Sequence, residues 1–258
     1  MSRHDPVAVL AAVDSWIWTP EDARRVETED YLLVAFPPYL PSPTQVLRTR
    51  SERRPQELIT EVREHLRGWG REQVVWWVKD GTRPGSLEQA LLSADAEPVE
   101  TLSVLARPIG VPRPVPDDVE VRAVLDREGL VDWYAVQIDA FGGKPPADED
   151  LVRGVEREIS GAESGTALNV VAYRAGKPVG AGGVSVADGF ARLWGGATVG
   201  RSRGRGIYRA VLEARAAWAR EHGARAALVK ARIETSAPIL ERAGFTSYGE
   251  ERSYLLDA

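Results

Sequence analysis

Apolar positions in the first hundred residues follow the spacing of helices and of buried strands. Between residues 57 and 69 they fall on one helical face, and the uninterrupted apolar run 74–78 indicates a strand. Ser86 begins a capping-box pattern, which predicts a helix over 87–93. A second strand is predicted at 101–105. This part of the chain is therefore expected to mix helices and strands.

The second half is predicted to alternate strands and helices in the same way. Strands are predicted at 119–122, 167–174, 179–186, 190–199 and 226–231. Helices are predicted at 130–141, 151–159, 207–221 and 237–243. The turn at 175–178 joins its two neighbouring strands into a predicted β-hairpin, and the residues from Phe245 onward predict a final pair of strands.

A proline-rich segment separates the two halves. The four prolines within 107–116 disfavour both helix and central strand. We therefore expect an N-terminal domain at 1–107, a linker at 108–116 and a C-terminal domain at 117–258. Both halves repeat the order strand, glycine-containing turn, helix, strand, which indicates a degenerate internal duplication.

Composition narrows the class of protein. The chain has 258 residues, 43% of them hydrophobic, and a formal net charge of −5, so nucleic acid is not the expected partner. No apolar run approaches the roughly 20 residues that span a bilayer, and the N-terminus lacks a signal-peptide pattern. We expect a cytoplasmic protein without membrane contact. With no cysteine and three histidines, neither a thiol nucleophile nor a structural zinc site is expected.

The segment Arg201–Ile207, with the sequence RSRGRGI, lies between a predicted strand and a predicted helix. Its two glycines allow a tight turn and close approach to a phosphate, and the following helix presents free N–H groups. Arg203 and Arg205 add positive charge. The plain alternative is a glycine-rich connector with solvated arginines. A dinucleotide fingerprint and a Walker A loop are both excluded, because neither G-x-G-x-x-G nor Gly-Lys-Ser/Thr is present.

In this context the sequence resembles the GNAT superfamily of acetyl-CoA-dependent N-acetyltransferases. Their turn has the form Arg/Gln-x-x-Gly-x-Gly/Ala, which Arg201, Gly204 and Gly206 match. The segment 236–245, SAPILERAGF, is similar to the late family helix that ends in Gly-Phe. The resemblance covers about 117–256, and for 1–107 it is only architectural, similar to the degenerate first copy of tandem members.

The resemblance implies an α/β fold of two tandem GNAT-like domains, each a mixed, mostly antiparallel sheet flanked by helices. It also implies that the sheet opens between strands 190–199 and 226–231 to admit the pantetheine arm of acetyl-CoA, with no metal. One acetyl-CoA site per chain is expected, because only the second half carries the full turn. The cofactor-binding residues that it implies are Ala197, Thr198, Val199, Arg203, Gly204, Arg205, Gly206, Ile207, Tyr208 and Ser236.

The catalytic residues stay unassigned by the sequence. Many family members have a tyrosine as general acid in the late helix, and the corresponding residue here is Leu240. Other hydroxyls and bases in the C-terminal half are more typical of packed or surface residues: Tyr208, Tyr248, Tyr254, His222, Glu156, Glu158 and Glu234. Of the tryptophans, which are expected to be mostly core, Trp194 is the candidate for contact with an acceptor.

We therefore predict an N-acetyltransferase that moves the acetyl group of acetyl-CoA to a primary amine by direct attack on the thioester. The expected acceptor is a small-molecule or peptide amine, and the chain is expected to be a monomer or a homodimer. The alternative is a non-catalytic acyl-CoA-binding sensor or interaction protein, which the leucine at position 240 and the degenerate first half favour. RNA binding through the basic turn at 201–209 is a weaker alternative.

Overall fold

The computed structural model describes residues 4–37 and 43–258; Met1–Arg3, which entered the localisation prediction, lie outside the described residues. The helices are α1 Pro6–Asp14, α2 Pro55–Gly68, α3 Leu87–Ser93, α4 Arg127–Phe141, α5 Asp148–Glu163, α6 Ile207–Glu221 and α7 Ala237–Arg242. The strands are β1 Arg24–Glu27, β2 Tyr31–Ala35, β3 Gln45–Thr49, β4 Gln73–Lys79, β5 Glu97–Pro108, β6 Glu120–Ala123, β7 Ala167–Arg174, β8 Lys177–Ala187, β9 Phe190–Thr198, β10 Ala226–Arg232 and β11 Thr246–Asp257. The predicted α/β class, with mostly antiparallel pairing flanked by helices, is confirmed.

The chain divides into two compact units. The C-terminal unit consists mainly of Ala106–Lys230 and Ala243–Thr246. The N-terminal unit consists of Pro6–Leu105, Ala231–Arg242 and Ser247–Ala258. Segments from the last third of the chain therefore belong alternately to the two units. The proline-rich segment instead predicts one N-terminal and one C-terminal domain, each continuous in sequence. The functional domain boundaries at 1–107, 108–116 and 117–258 stay a prediction.

The N-terminal unit is built on strands in the order β1-β2-β3-β4-β11-β5. Strand β11 runs antiparallel to β4, with Glu251 opposite Lys79 and Asp257 opposite Gln73. The predicted final strand pair is wrong, because the chain after Phe245 continues as this one long strand. Leu256, at 0% exposure, belongs to the hydrophobic core that this sheet shares with α2 and α3.

Local signals in the N-terminal half are met unevenly. Helix α2 forms where the apolar stripe predicts it, with Pro55 in its first turn and its apolar face in the core. Helix α3 has the predicted bounds, but the predicted capping box is wrong, since the Ser86 side chain makes no cap hydrogen bond. The sequence did not predict α1 or β1–β3, because these segments are short and lack a clear period.

The C-terminal unit has the strand order β10-β9-β8-β7-β6. Strands β6, β7, β8 and β9 are successively antiparallel, and β10 lies parallel to β9. The predicted hairpin is confirmed as β7–β8, whose turn has positive φ at Ala175 (51°) and Gly176 (72°). Positive φ at both central residues matches the right-handed twist of paired strands.

Helix α6 packs unusually closely on β8 because two glycines of the strand lack side chains. A Cβ at Gly180 would lie 2.6 Å from Ile207 Cγ2, and one at Gly182 would lie 2.8 Å from Arg215 Cζ. Contacts this short do not occur for real Cβ atoms, so any larger residue would push the helix away. The position of α6 therefore depends on these glycines.

The proline-rich segment is held against α6. The Arg107 guanidinium forms a buried ion pair with Glu213 at 2.7 Å and donates to the Ala243 carbonyl at 2.9 Å. The backbone N–H of Arg113 donates to the second Glu213 oxygen at 3.2 Å. A buried carboxylate needs such donors to offset its desolvation. The segment is consequently fixed to Glu213 of the helix through two of its residues.

Candidate functional site

The strand-to-helix connection after β9 forms a tight turn. A short 3-10 turn at Gly200–Ser202 precedes Gly204 and Gly206, whose φ angles are +75° and +78°. Gly206 is the N-cap residue of α6 and no side chain caps the helix. Left-handed backbone at both positions accounts for the two glycines of the R-x-x-G-x-G pattern.

Backbone N–H groups are unused along this turn. Within the described part of the chain, the N–H groups of residues 204–209 have no hydrogen-bond acceptor, and the first bond of α6 runs from Ala210 N–H to Gly206 O at 3.1 Å. Six consecutive donors therefore remain at the positive end of a 15-residue helix. Such an arrangement binds phosphate groups.

Four exposed arginines surround the turn: Arg201, Arg203, Arg205 and Arg209. None of these four side chains lies within 4.0 Å of a carboxylate oxygen in the described residues, where the ion pairs are formed by other basic residues. The Arg203 Nε contacts the Thr198 carbonyl at 3.5 Å. Positive charge here is thus not neutralised by the protein and adds to the attraction for an anion.

The two glycines of the turn are required for different reasons. A Cβ at Gly204 would meet nothing within 4 Å, so this position faces open space. A Cβ at Gly206 would lie 2.7 Å from Pro116 Cγ, which belongs to the proline-rich segment. Packing within the protein is therefore an additional reason for the glycine at position 206, and the expectation that both glycines leave room for a phosphate stays a prediction.

Strand β9 has a partly open edge next to the turn. It pairs with β10 only over four positions, from Phe190–Ala226 to Leu193–Val229, while its other edge follows β8 as far as Thr198. The Thr198 hydroxyl is buried, and no partner for it lies in the described residues. The N–H of Val199 already donates to the Val179 carbonyl at 3.1 Å, so it is not free for a ligand.

The middle of β9 is interrupted by a bulge. Gly195 has a φ of +58°, and the register with β8 shifts between Ala181 and Gly183. Two side chains hold consecutive carbonyls of the bulge: Arg215 donates to Trp194 O at 3.1 Å and Gln137 donates to Gly195 O at 2.7 Å. Because the C=O and N–H of a trans peptide point in opposite directions, these contacts also fix the N–H groups of Gly195 and Gly196.

Arg215 lies beneath the bulge and is 1% exposed. It donates to the carbonyls of Val211 and Gly183 as well as to the bulge, and it interacts with the Tyr208 phenol. Burial lowers the pKa of the guanidinium, which the tyrosine partly offsets. Burial likewise raises the pKa of Tyr208, so this phenol stays neutral.

Sequence reasoning missed Arg215 and Gln137. A signal for Arg215 was present, because it continues the apolar stripe of α6 that includes Ile207 and Val211. An arginine on a core-facing stripe indicates a buried polar function. No comparable signal distinguishes Gln137, whose role depends on the bulge.

The second face of the sheet carries a polar and aromatic cluster. Asn169 of β7, Gly183 of β8 and Trp194 of β9 are opposite one another in register. The Asn169 amide donates to Glu158 of α5 at 2.8 Å. The indole of Trp194 packs edge-on to Trp133 of α4, with ring centroids 5.9 Å apart. Trp194, the tryptophan singled out in the sequence, is 38% exposed.

Several candidate residues belong to the N-terminal unit. The Ser236 carbonyl accepts the N–H of Leu240 at 3.1 Å in the first turn of α7, and the Leu240 side chain is buried. Burial raises the pKa of Tyr254, and so does the hydrogen bond that its hydroxyl donates to Glu88. Tyr248 lies on β11, and Glu234 lies between β10 and α7.

His222 is the C-cap residue of helix α6. Its Nδ1 lies 2.8 Å from the Trp218 carbonyl, and the two rings stack 4.2 Å apart. Glu156 is exposed on α5. No group of three or more metal-binding side chains occurs in the part of the chain that the structure describes. In the same residues, no helix has both the length and the hydropathy of a membrane span.

Comparison with known proteins identifies the C-terminal half. Residues 130–245 match the model of the Acetyltransferase (GNAT) family. The match includes the turn, the bulged strand and the polar cluster on the second face. A search of curated proteins by sequence found no match.

Solved structures share the fold over nearly the whole chain. A GCN5-related N-acetyltransferase from Kribbella flavida is similar with a TM-score of 0.69 at 16% identity, covering 96% of this chain and 93% of that one. One from Sphaerobacter thermophilus has a TM-score of 0.63 at 19% identity, covering 89% and 81%. A tandem GNAT protein from the clavulanic acid biosynthesis pathway has a TM-score of 0.64 at 14% identity, covering 97% and 87%. At these identities the likeness concerns the fold.

Proposed function

We propose that the chain transfers the acetyl group of acetyl-CoA to a primary amine. The match of residues 130–245 to the GNAT acetyltransferase family supports acetyl transfer as the type of reaction, because GNAT enzymes use acetyl-CoA as donor.

The observation that carries the proposal is the turn at residues 204–209. Among the described residues, its six N–H donors have no acceptor and its four neighbouring arginines form no ion pair. These groups fit a pyrophosphate in charge and in donor number. Arg203, Gly204, Arg205, Gly206, Ile207 and Tyr208 would hold it. Ile207 would contribute only its backbone, because its side chain is buried against β8.

The open edge of β9 fits the pantetheine arm. Backbone groups of Ala197 and Thr198 lie beyond the last pair with β10, and the buried Thr198 hydroxyl lacks a partner in the described residues. An amide-bearing chain would pair there as an added strand. Val199 would contribute its carbonyl or side chain, since its N–H is bonded to β8. Ser236 stays a prediction from the family resemblance.

Acetyl-CoA supplies an activated acyl group and a thiolate leaving group. The chain's contribution would be donors placed where negative charge develops on the carbonyl oxygen. The N–H groups of Gly195 and Gly196 are the best candidates, because Arg215 and Gln137 fix their peptides before any ligand binds. Fixed donors of this type commonly contribute a factor of about 10²–10³ in kcat.

No positioned acid is required for the leaving group. Leu240 is buried where many family members have a tyrosine, and the Tyr208 phenol is engaged with Arg215. A thiol pKa near 8.5 makes the thiolate a good leaving group near neutral pH. We therefore propose that the thiolate leaves directly or takes a proton from water.

Calorimetry on the full chain, together with an assay for free CoA thiol over a panel of primary amines, tests the proposal. We expect one equivalent of acetyl-CoA to bind, and thiol release that depends on an amine. Tight binding without release for any amine would favour the alternative of an acyl-CoA sensor. Two equivalents would contradict the proposal that residues 1–107 carry no second acetyl-CoA site.

A further inference from the structure

Glu158 is a partly buried carboxylate that forms no ion pair in the described residues. One oxygen accepts a hydrogen bond from the Asn169 amide at 2.8 Å, and no lysine, arginine or histidine forms an ion pair with it in the described residues. Burial raises the pKa of this carboxyl, an effect that Asn169 and the neighbouring Arg157 only partly offset. A site that desolvates a carboxylate without pairing it is costly unless a ligand supplies the missing charge.

Asn169 carries an unsatisfied acceptor in the same place. The residue is 3% exposed, and its Oδ1 atom has no donor among the described residues. Its Nδ2 must face Glu158, because a carboxylate can only accept, so the oxygen points the other way toward Gly183 and Trp194. An acceptor without a donor, beside a carboxylate without an ion pair among the described residues, favours a ligand rich in N–H groups, and a primary ammonium has three.

An aromatic wall completes the cluster. Gly183 has no side chain, and a Cβ there would collide with the Trp194 ring. Trp194 contacts Trp133, which in turn packs edge-on to Tyr134 with centroids 5.2 Å apart. Indole faces attract cations and cover apolar groups. The wall therefore suits an ammonium attached to an apolar skeleton.

The cluster adjoins the bulge that would activate the acetyl group. Trp194 is the residue before Gly195, and its carbonyl is held by Arg215 on the other side of the strand. A ligand that contacts the Trp194 indole and Asn169 thus lies beside the peptides whose N–H groups are fixed. An amine held there would lie near the proposed position of the acetyl group, as attack on its carbonyl carbon requires.

We propose that Glu158 and Asn169 bind the protonated primary amine of the acceptor, with its apolar skeleton on Trp194, and that Glu158 accepts the proton that activates it. The inference rests on the proposed acetyl transfer and names the acceptor class and the base. The neutral amine nitrogen forms a bond to the acetyl carbon while the carbon–sulfur bond breaks and its electron pair leaves with sulfur. The amide nitrogen loses its remaining extra proton, which with the one on Glu158 returns to solvent or thiolate.

The neighbours of Glu158 agree with this role. Arg157 on the same helix favours the charged carboxylate, Asn169 on β7 donates to it, and Tyr134 on α4 is a phenol whose own pKa is raised by burial. Because burial raises the pKa of Tyr134, its phenol stays protonated near neutral pH. Glu158 is thus the group beside the proposed site that can accept a proton.

The test compares Glu158→Gln with the matched control Glu156→Gln, which lies two residues away on the exposed face of α5. The probes are 2-phenylethylamine and its 2,2-difluoro analogue, whose nitrogen is far less basic and is largely neutral at pH 8. We expect E158Q to lower kcat about 100-fold or more with 2-phenylethylamine, and less than 10-fold with the fluorinated amine, which needs no base. E156Q should behave as the unmodified chain does with both.

Binding provides a readout that does not depend on turnover. Without acetyl-CoA, calorimetry should show 2-phenylethylamine binding to E158Q at least 10-fold more weakly than to E156Q. Equal kcat and equal affinity in the two variants would overturn the inference, as would an E158Q defect of the same size for both amines. If the unmodified chain acetylates neither amine nor any other, the proposed transfer fails, whereas the binding comparison still decides whether Glu158 holds an ammonium.

Discussion

Substitution at Gly204 separates ligand binding from backbone strain. Gly204 has a φ of +75° and its virtual Cβ faces open space, and Gly176 in the β7–β8 turn has a φ of +72° and equally open surroundings. A side chain at either position incurs about 1–2 kcal/mol of left-handed strain. Because 1 kcal/mol corresponds to about 2–4 °C in Tm for a protein of this size, both variants should melt about 2–8 °C lower.

Only Gly204 borders the proposed pyrophosphate site. An aspartate there would place a negative charge about 5 Å from a phosphate, which at an effective dielectric of about 20–30 costs about 2–3 kcal/mol. That energy corresponds to a loss of roughly 30- to 150-fold in affinity for acetyl-CoA. The carboxylate would also occupy the N–H groups at the start of α6.

The assay is calorimetric titration of acetyl-CoA into Gly204→Asp, Gly204→Asn and Gly176→Asp. The asparagine variant has the same shape without the charge, so we expect it to bind more weakly than the Gly176 control but more tightly than Gly204→Asp. Affinity of Gly204→Asp within threefold of the Gly176 control would refute the assignment of the turn. Gly206 is unsuitable for this test, because its Cβ would collide with Pro116.

Three further predictions follow from individual contacts. Leu256→Ala should lower the free energy of unfolding by about 2–5 kcal/mol, since this residue of β11 is fully buried, and the less buried Leu255→Ala should cost less in the same denaturant titration. Gln137→Leu should lower kcat about 10-fold or more with little change in acetyl-CoA affinity, because it frees the Gly195 carbonyl, and an unchanged kcat would contradict the role of the bulge. The raised pKa of Glu158 means that the folded state holds its proton more tightly than the unfolded state does. Stability should therefore fall as pH rises from about 4.5, the ordinary value, through the raised pKa, and Glu158→Gln should remove that fall in thermal melts across the same pH range.

Local sequence signals were sufficient to predict the helices and strands of the C-terminal half and the glycine-dependent turn before α6. The R-x-x-G-x-G pattern specifies positive φ at Gly204 and Gly206 before a helix, and the structure has both. Helix α6 and the β7–β8 hairpin were equally predictable, because periodicity and turn residues are encoded within a few neighbouring positions. The likeness of the second half to an acetyltransferase needed only these short-range signals.

Contacts between segments that are distant in sequence could not be predicted and are visible only in the folded structure. The pairing of β11 with β4 joins residues more than 170 positions apart, and no periodic signal in either strand names the other. The same holds for Pro116 against Gly206, for Gln137 on the Gly195 carbonyl and for Glu158 with Asn169. Each depends on helices and strands being packed first, because a side chain's partner across the fold is set by the geometry of whole elements and not by its sequence neighbours. The turn could therefore be predicted from the sequence. The bulge, the two side chains that bind its carbonyls and the proposed amine site could not, because they depend on how the strands and helices pack in the fold.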